Sequence, residues 1–320
     1  MGMIIKTLIR MRTRASIYVL RALSLVSMLC FTLLFVVRRD PLVSNNQIWQ
    51  QRTSQIYVWT GNLKINLNKQ QEAFNNSFFK INRKSRLWQL FEPEVSCLRE
   101  VRVGPYGDGS KWVCDPVVLR RKKCMVYSFG SAGLDEYERE LWALTNCEIH
   151  IFDPSDRAAH MTEKVQEYGA YFHKVGLGDG FDVAKGLWGY TRKQGHESRP
   201  TMRLHDILKM LGHDGKIIDI LKVDIEGNEY VAFKHIFDTC DIQIVQLQIE
   251  LHWYESSENR KIIDVRSEEK NSRIGKQIIE FFRAARNCGY YIFHKEPHPS
   301  NFPYCIEYAL INTKLSYNIF

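Results

Sequence analysis

Two acidic residues at the exit of one apolar run and a glycine pair at the exit of another have types and spacing suited to chemistry in this 320-residue chain. Ile220-Leu-Lys-Val223 leads straight into Asp224, with Glu226, Gly227 and Glu229 close behind. A run of branched apolar residues belongs in a strand covered on both faces, where a buried carboxylate is costly. At the strand's exit the same carboxylate can face a ligand, because open α/β sheets bind at the carboxyl ends of their strands. Asp224 and Glu226 are two residues apart, and in an extended chain that spacing aims both side chains to one side. Two carboxylates so placed share a proton or hold a cation, so they are also the candidate metal ligands. Either state suits proton removal from a hydroxyl acceptor. His252 ends a later apolar run, Ile242 to Trp253, and is a further candidate base. A hydrogen-bonded structural histidine is the plainer reading of it. Glu229 reads as a solvated acid in a helix's first turn, favoured there by the helix dipole.

The second constellation lies upstream. MVYSF (Met125 to Phe129) is followed by Gly130-Ser131-Ala132-Gly133, and EIHIF (Glu148 to Phe152) by Asp153-Pro154. A glycine turn lets a nucleoside ligand approach the backbone, and an acid at the end of the next strand can bind ribose hydroxyls. A plain turn is the alternative, since the full G-x-G-x-x-G is missing.

The elements that must position these groups alternate in type. Strands are expected at 125–129, 148–152, within AYFHKVGLG (Ala170 to Gly178), at the start of ILKVDIEGNEY (Ile220 to Tyr230) before Asp224, and within 242–253. Helices are expected from Asp135 to about Thr145, from Ser155 or Asp156 to before Gly169, from Thr201 to Gly212, from Asn228 to about Phe237, and around the stripe Ile274, Ile278, Phe281, Phe282 and Ala285. GPYGDGSKWVCDP (Gly104 to Pro116) has the turn chemistry of a short hairpin. YYIFHK and CIEYALIN close the chain as two strands with a short connection. The pattern predicts an α/β fold: a mostly parallel sheet, an antiparallel C-terminal edge hairpin, and helices on both faces.

VYSFGSAG, CEIHIFDPS and DILKVDIEGNE, in that order, resemble a class I S-adenosylmethionine-dependent methyltransferase with a Rossmann-like sheet. The likeness is greatest to the FkbM-like group and its single-pass membrane relatives. It covers roughly Cys97 to Asn312, including the D-G-x-x-W-V-C lead-in at Asp108 to Cys114. The resemblance implies that Gly130, Ser131, Gly133 and Asp153 bind the cofactor, with Asp153 on its ribose and Asp179 facing adenine. It also implies that Asp224 and Glu226 line the reaction centre. The glycine turn departs from the family's usual form. A luminal glycosyltransferase is the rival, with Asp224-Ile-Glu226 as a D-x-D-like metal site. A methyltransferase-like fold that binds without catalysing is a third reading.

Charge and hydropathy suggest where the body of the chain resides. Residues 1–40 carry seven basic side chains against Asp40 alone, so little of the net +8 belongs to the rest of the chain, and no nucleic-acid partner is expected. Ile17 to Val37 is an apolar stretch broken only by Arg21, long enough for a helix at about 1.5 Å per residue to span a core of roughly 30 Å. With most basic residues before it, the expected topology is type II, facing the lumen of the endoplasmic reticulum or Golgi. The expected organisation is a cytosolic tail (1–16), a transmembrane signal anchor (17–37), a stem (38–86) and a catalytic domain (87–320). The partners would then be the membrane and a hydroxyl-bearing acceptor such as a glycan, lipid or small molecule. Asn75-Asn-Ser77 is a glycosylation sequon. Cys97 and Cys114 are a plausible disulfide, with Cys124 as competing partner, and without C-x-x-C spacing a zinc site is not expected. Lys185, Arg192, Lys193 and Arg199 are candidates for an anionic acceptor, with a solvated loop the plainer reading. His205 and His213 read as surface residues.

Overall fold

The computed structural model describes residues 87–120, 123–180, 189–191, 199–253 and 268–316. The expected anchor, the stem, Asn75, Lys185, Arg192 and Lys193 lie outside them. Among the described residues no helix is long and apolar enough to cross a membrane.

Strands β1 (Glu100–Val103) and β2 (Lys111–Cys114) pair as the expected antiparallel hairpin, followed by a one-turn helix α1 (Pro116–Leu119). Then come β3 (Met125–Phe129), α2 (Glu136–Thr145), β4 (Glu148–Phe152), α3 (Met161–Gln166) and β5 (Tyr171–His173). Short strands β6 (Gly176–Leu177), β7 (Gly189–Thr191) and β8 (Arg199–Met202) form a separate three-stranded sheet. The chain continues through α4 (Leu204–Met210), β9 (Ile218–Val223), α5 (Glu229–Thr239), β10 (Ile244–His252), α6 (Glu268–Cys288), β11 (Tyr290–Pro297), β12 (Cys305–Asn312) and α7 (Thr313–Ser316).

The main sheet has seven strands in the order β11-β12-β10-β9-β3-β4-β5. Neighbours from β10 through β9, β3 and β4 to β5 are parallel, while β12 runs antiparallel to both β10 and β11. The closing hairpin therefore occupies the edge, but its second strand is the inner one. Strand order reverses between β3 and β9. That reversal splits the loops leaving the two strands to opposite sides and opens a crevice at their carboxyl ends.

Continuous apolar sequence explains the central strands. All residues of β3, β9 and β10 are buried, with α4, α5 and α6 packed over one face. The other face of β3 and β4 packs against α2 and α3. Over β10 and β12 that second face is covered by the β1–β2 hairpin rather than by a helix. Gln246 locks it there: its amide donates to Cys114 O at 2.8 Å and its carbonyl accepts from Cys114 N at 2.9 Å.

The expected third strand is two. Tyr171–His173 joins the main sheet, and Gly176–Leu177 leaves it to pair with β8. The helix expected from Thr201 begins at Leu204, because Thr201 and Met202 belong to β8. Cys97 pairs with Cys114, Cys124 with Cys147 and Cys240 with Cys288. Cys124 therefore does not compete for the first bridge.

Candidate active site

The glycine turn leaves β3 at the switch point. Gly130, Ala132 and Gly133 all have positive φ, at 83°, 51° and 84°. A Cβ on Gly130 would lie 1.7 Å from Asp224 O, and one on Gly133 2.4 Å from Arg157 O. Neither position admits a side chain. The turn and the acidic segment after β9 therefore touch through backbone. Asp224 N donates to Phe129 O at 3.0 Å, and the Lys222 ammonium donates to Gly130 O.

Asp153 is buried at the end of β4 and grips this turn. One carboxylate oxygen accepts from Ser131 N at 3.0 Å and Ala132 N at 2.6 Å, and the other accepts from Ser155 N at 2.7 Å. Successive backbone N–H groups in this conformation make an anion nest, and its anion here is Asp153 itself. Ser131 Oγ accepts from Gly133 N at 3.3 Å and so also belongs to the turn. The carboxylate keeps acceptor capacity beyond these three bonds. Asp179 follows β6, not the third strand of the main sheet; it is exposed, and its carbonyl accepts from Arg203 Nε at 2.5 Å.

The acidic segment is a turn, not a strand end. Extended structure stops at Val223, Glu226 has φ 60° and Gly227 φ 96°. Two-residue alternation therefore does not orient Asp224 and Glu226. His252 does, with Nε2 lying 4.0 Å from Asp224 Oδ1, 3.9 Å from Glu226 Oε2 and 3.8 Å from Glu250 Oε1. A left-handed glutamate is uncommon backbone strain that a site retains only when its surroundings enforce it.

Glu229 does the enforcing. It is fully buried, not solvated. A single carboxylate oxygen accepts from Ile225 N (3.2 Å), Gly227 N (3.1 Å) and His252 Nδ1 (3.0 Å). Burial alone would lower His252, but Glu229 first, then Glu250 and Asp224, lift it from 6.5 to about 9. The ring is a cation at neutral pH. This favours the protonated ring, which weighs against His252 as the base and for its hydrogen-bonded, structural reading.

Strand β10 carries a feature that the sequence reading passed over. Gln246, Gln248, Glu250 and His252 alternate with Leu247, Ile249 and Leu251, so one face of a wholly buried strand is polar. Lys111 of β2 descends onto that face. It is buried, with Nζ 2.5 Å from Glu307 Oε1 and 3.9 Å from Asp224 Oδ2. Burial opposes its charge, but Glu307, Asp224 and Glu250 outweigh burial and raise it above 10.5. Burial, with Asp224 and Glu307 nearby, pushes Glu250 up to about 9, so it keeps its proton and hydrogen-bonds Asp224. Asp224 would itself be raised by burial, but Lys111, Lys222 and His252 hold it down at about 2. The available signal for Lys111 was its place in the Asp108–Cys114 lead-in, at an inward position in register with Val113.

These charges bear on the metal expected at Asp224 and Glu226. Lys111 and His252 already stand within 4.0 Å of the Asp224 carboxylate, and Lys222 adds a third cation. A divalent ion would meet three positive groups, so the residues do not fit one. The glycine turn does fit a nucleoside cofactor, since a Cβ at Gly130 would close the turn onto Asp224.

The sheet order, the glycine turn and the acid closing β4 define a class I S-adenosylmethionine-dependent methyltransferase fold. A family model described as a methyltransferase domain matches residues 46–312, and the chain belongs to that family. The glycosyltransferase alternative falls with it. Probable methyltransferase-like protein 24 of Homo sapiens is 32% identical over 138 residues, which is 42% of this chain and 35% of that protein. Its Rattus norvegicus counterpart is 31% identical over 141 residues, with the same coverage. The chain thus spans about a third of the length of these curated relatives. Among solved structures, methyltransferase FkbM from Methylobacillus flagellatus KT covers 58% of this chain and 43% of its own, at 13% identity and TM-score 0.36. M. capricolum TrmK, solved with S-adenosyl-homocysteine, covers 61% and 66% at 9% identity and TM-score 0.34. Likeness at that level carries no functional argument.

Proposed function

We propose that the protein is a membrane-anchored, lumen-facing enzyme that moves the methyl group of S-adenosylmethionine to a hydroxyl oxygen of a glycan, lipid or small molecule. The observation that carries this reading is the direct abutment of the Gly130–Gly133 turn and the Asp224–Gly227 turn across the switch point. Donor and acceptor sides of a site then share one crevice, and positioning supplies much of the rate of an in-line displacement. When bound, S-adenosylmethionine would supply an electrophilic methyl group, its sulfonium sulfur keeping the S–C electron pair as the leaving thioether.

The chain's own groups have distinct tasks. Gly130 and Gly133 let the cofactor approach backbone, Asp153 holds the turn and offers its remaining acceptor capacity to ribose, and Asp179 faces adenine. Asp224, ionised at any ordinary pH, accepts a hydrogen bond from the acceptor hydroxyl and orients it. Glu226, less buried than Asp224, takes the proton outward as the new O–C bond forms. The His252 cation steadies both carboxylates.

The three disulfides among the described residues support an oxidising compartment. The basic-flanked apolar stretch at 17–37 supports a type II anchor in the endoplasmic reticulum or Golgi, and Asn75 would then be glycosylated. The near-neutral body argues against a nucleic-acid acceptor. The test is transfer of labelled methyl from S-adenosylmethionine to fractionated glycans, lipids and small hydroxylated metabolites, with RNA as a control. Label in RNA alone would reject the acceptor class.

A further inference from the structure

A second cluster of chemistry-bearing side chains lies at the other end of the sheet. Glu148 opens β4, and His150, two residues on, shares its face. His213 comes in from the connection between α4 and β9 and is buried, contrary to the surface position expected for it. Asp153 and the cofactor crevice lie at the carboxyl end of the same strand, so this cluster plays no part in methyl transfer.

We propose that Glu148, His150 and His213 form a site for one zinc-class divalent cation at the amino end of β4. The three ligand atoms all lie within 4.8 Å of one another. His150 Nε2 is 2.9 Å and His213 Nε2 3.8 Å from the same Glu148 oxygen. Tetrahedral zinc, with Zn–N and Zn–O bonds of about 2.0–2.2 Å, needs ligand atoms roughly 3.4 Å apart; the two distances to Glu148 differ from that by about half an ångström, and no pair of ligand atoms exceeds it by more than about 1.4 Å.

The shell behind the ligands is already built. His150 Nδ1 is 3.0 Å from His173 Nε2, and His213 Nδ1 is 2.7 Å from the Tyr127 hydroxyl. Each imidazole thus presents Nε2 to the cluster and uses its other nitrogen on a fixed partner, the arrangement that orients metal-ligating histidines. The Cys124–Cys147 disulfide sits one residue before Glu148, whose N–H donates to Cys124 O at 2.9 Å, so the carboxylate rides on rigid backbone. Two imidazoles and one carboxylate select zinc and its transition-metal neighbours over magnesium and calcium, which take oxygen ligands. The half-exposed Glu148 leaves the fourth position to water. Cysteine spacing could not reveal such a site, because no cysteine ligates. Bound metal would tie the α4–β9 connection to β4.

The test uses the purified full chain, stripped with a chelator and titrated calorimetrically with zinc, with magnesium as control and cobalt as spectroscopic probe. One equivalent of zinc should bind, cobalt should give the intense visible bands of a tetrahedral site, and magnesium should not compete. His150→Gln and His213→Gln should each weaken zinc by about a hundredfold or more, and Tyr127→Phe by roughly tenfold. Glu148→Gln, at the exposed ligand, guards against misfolding of the histidine variants and should also weaken zinc and shift the cobalt bands. No zinc uptake by the native chain would overturn the proposal. So would an equivalent that survives Glu148→Gln with unchanged affinity, or one lost on Cys305→Ser instead, which would place the ion beside Glu250 and His252.

Discussion

Glu229→Gln isolates the charge that holds the site together. The glutamine oxygen can still accept from Ile225 N and Gly227 N, so the strained turn keeps its hydrogen bonds while the negative charge is lost. In the native protein the folded state keeps the His252 proton up to about pH 9, whereas the unfolded chain releases it near 6.5. Between those values the folded state binds more protons, so its stability falls as pH rises. At 1.36 kcal/mol per pH unit, the span from 6.5 to about 9 amounts to about 3 kcal/mol. Glu250, raised from 4.5 to about 9, adds a slope of the same sign. In the variant, burial dominates the ring, its pKa falls, and the histidine contribution disappears while that of Glu250 stays. Urea unfolding of both proteins at pH 6.5, 7.5, 8.5 and 9 measures this. The native advantage over Glu229→Gln should shrink by about 3 kcal/mol across the series. Parallel curves would refute the assignment of His252 as a buried cation paired with Glu229.

Other expectations follow from the same geometry. Asp153→Ala strips three backbone N–H groups of their acceptor, at about 1–3 kcal/mol each, and should weaken S-adenosylmethionine roughly tenfold to a hundredfold in calorimetry; unchanged affinity would make Asp153 purely structural. Asp224→Asn and Glu226→Gln should each lower turnover by about 10²-fold with cofactor affinity within a few-fold; lost cofactor binding would move them to the donor side. Lys111→Met leaves Glu307 and Asp224 without their buried cation and should cost about 3–5 kcal/mol in chemical denaturation; a neutral result would mean those acids simply take up protons. Microsomal protease protection should shield the body of the chain, and Asn75→Gln should increase gel mobility if that site is glycosylated; digestion from the cytosolic side would refute the topology.

How much was legible in the sequence depended on the range of the interaction. MVYSF and EIHIF were read to the residue because parallel strands covered on both faces need continuous apolar sequence, and glycine or Asp-Pro marks their ends. The third strand was read as one because nothing local says that the chain changes sheets between His173 and Gly176. Glu229 was misread because an acid in a helix's first turn is ordinarily solvated. Its partner His252 lies 23 residues away, on the next strand. Lys111 joins Glu307 across 196 residues, and no pattern around either announces the pair. The polar alternation Gln246, Gln248, Glu250, His252 is visible in the sequence, and a strand buried on both faces with that alternation implies a polar partner layer. Glu226 looked like the second tooth of a strand because its positive φ follows from tertiary contacts rather than from its own type.

The crevice between the Gly130–Gly133 and Asp224–Gly227 turns is the proposed binding site for S-adenosylmethionine. Calorimetric titration of the purified protein with S-adenosylmethionine, repeated on Gly130→Ala, tests it most directly. Saturable one-to-one binding that S-adenosylhomocysteine competes away is expected, with its loss in the variant, whose added methyl would sit 1.7 Å from Asp224 O. Absence of binding by the native protein, or equal binding by a folded Gly130→Ala protein, would contradict it.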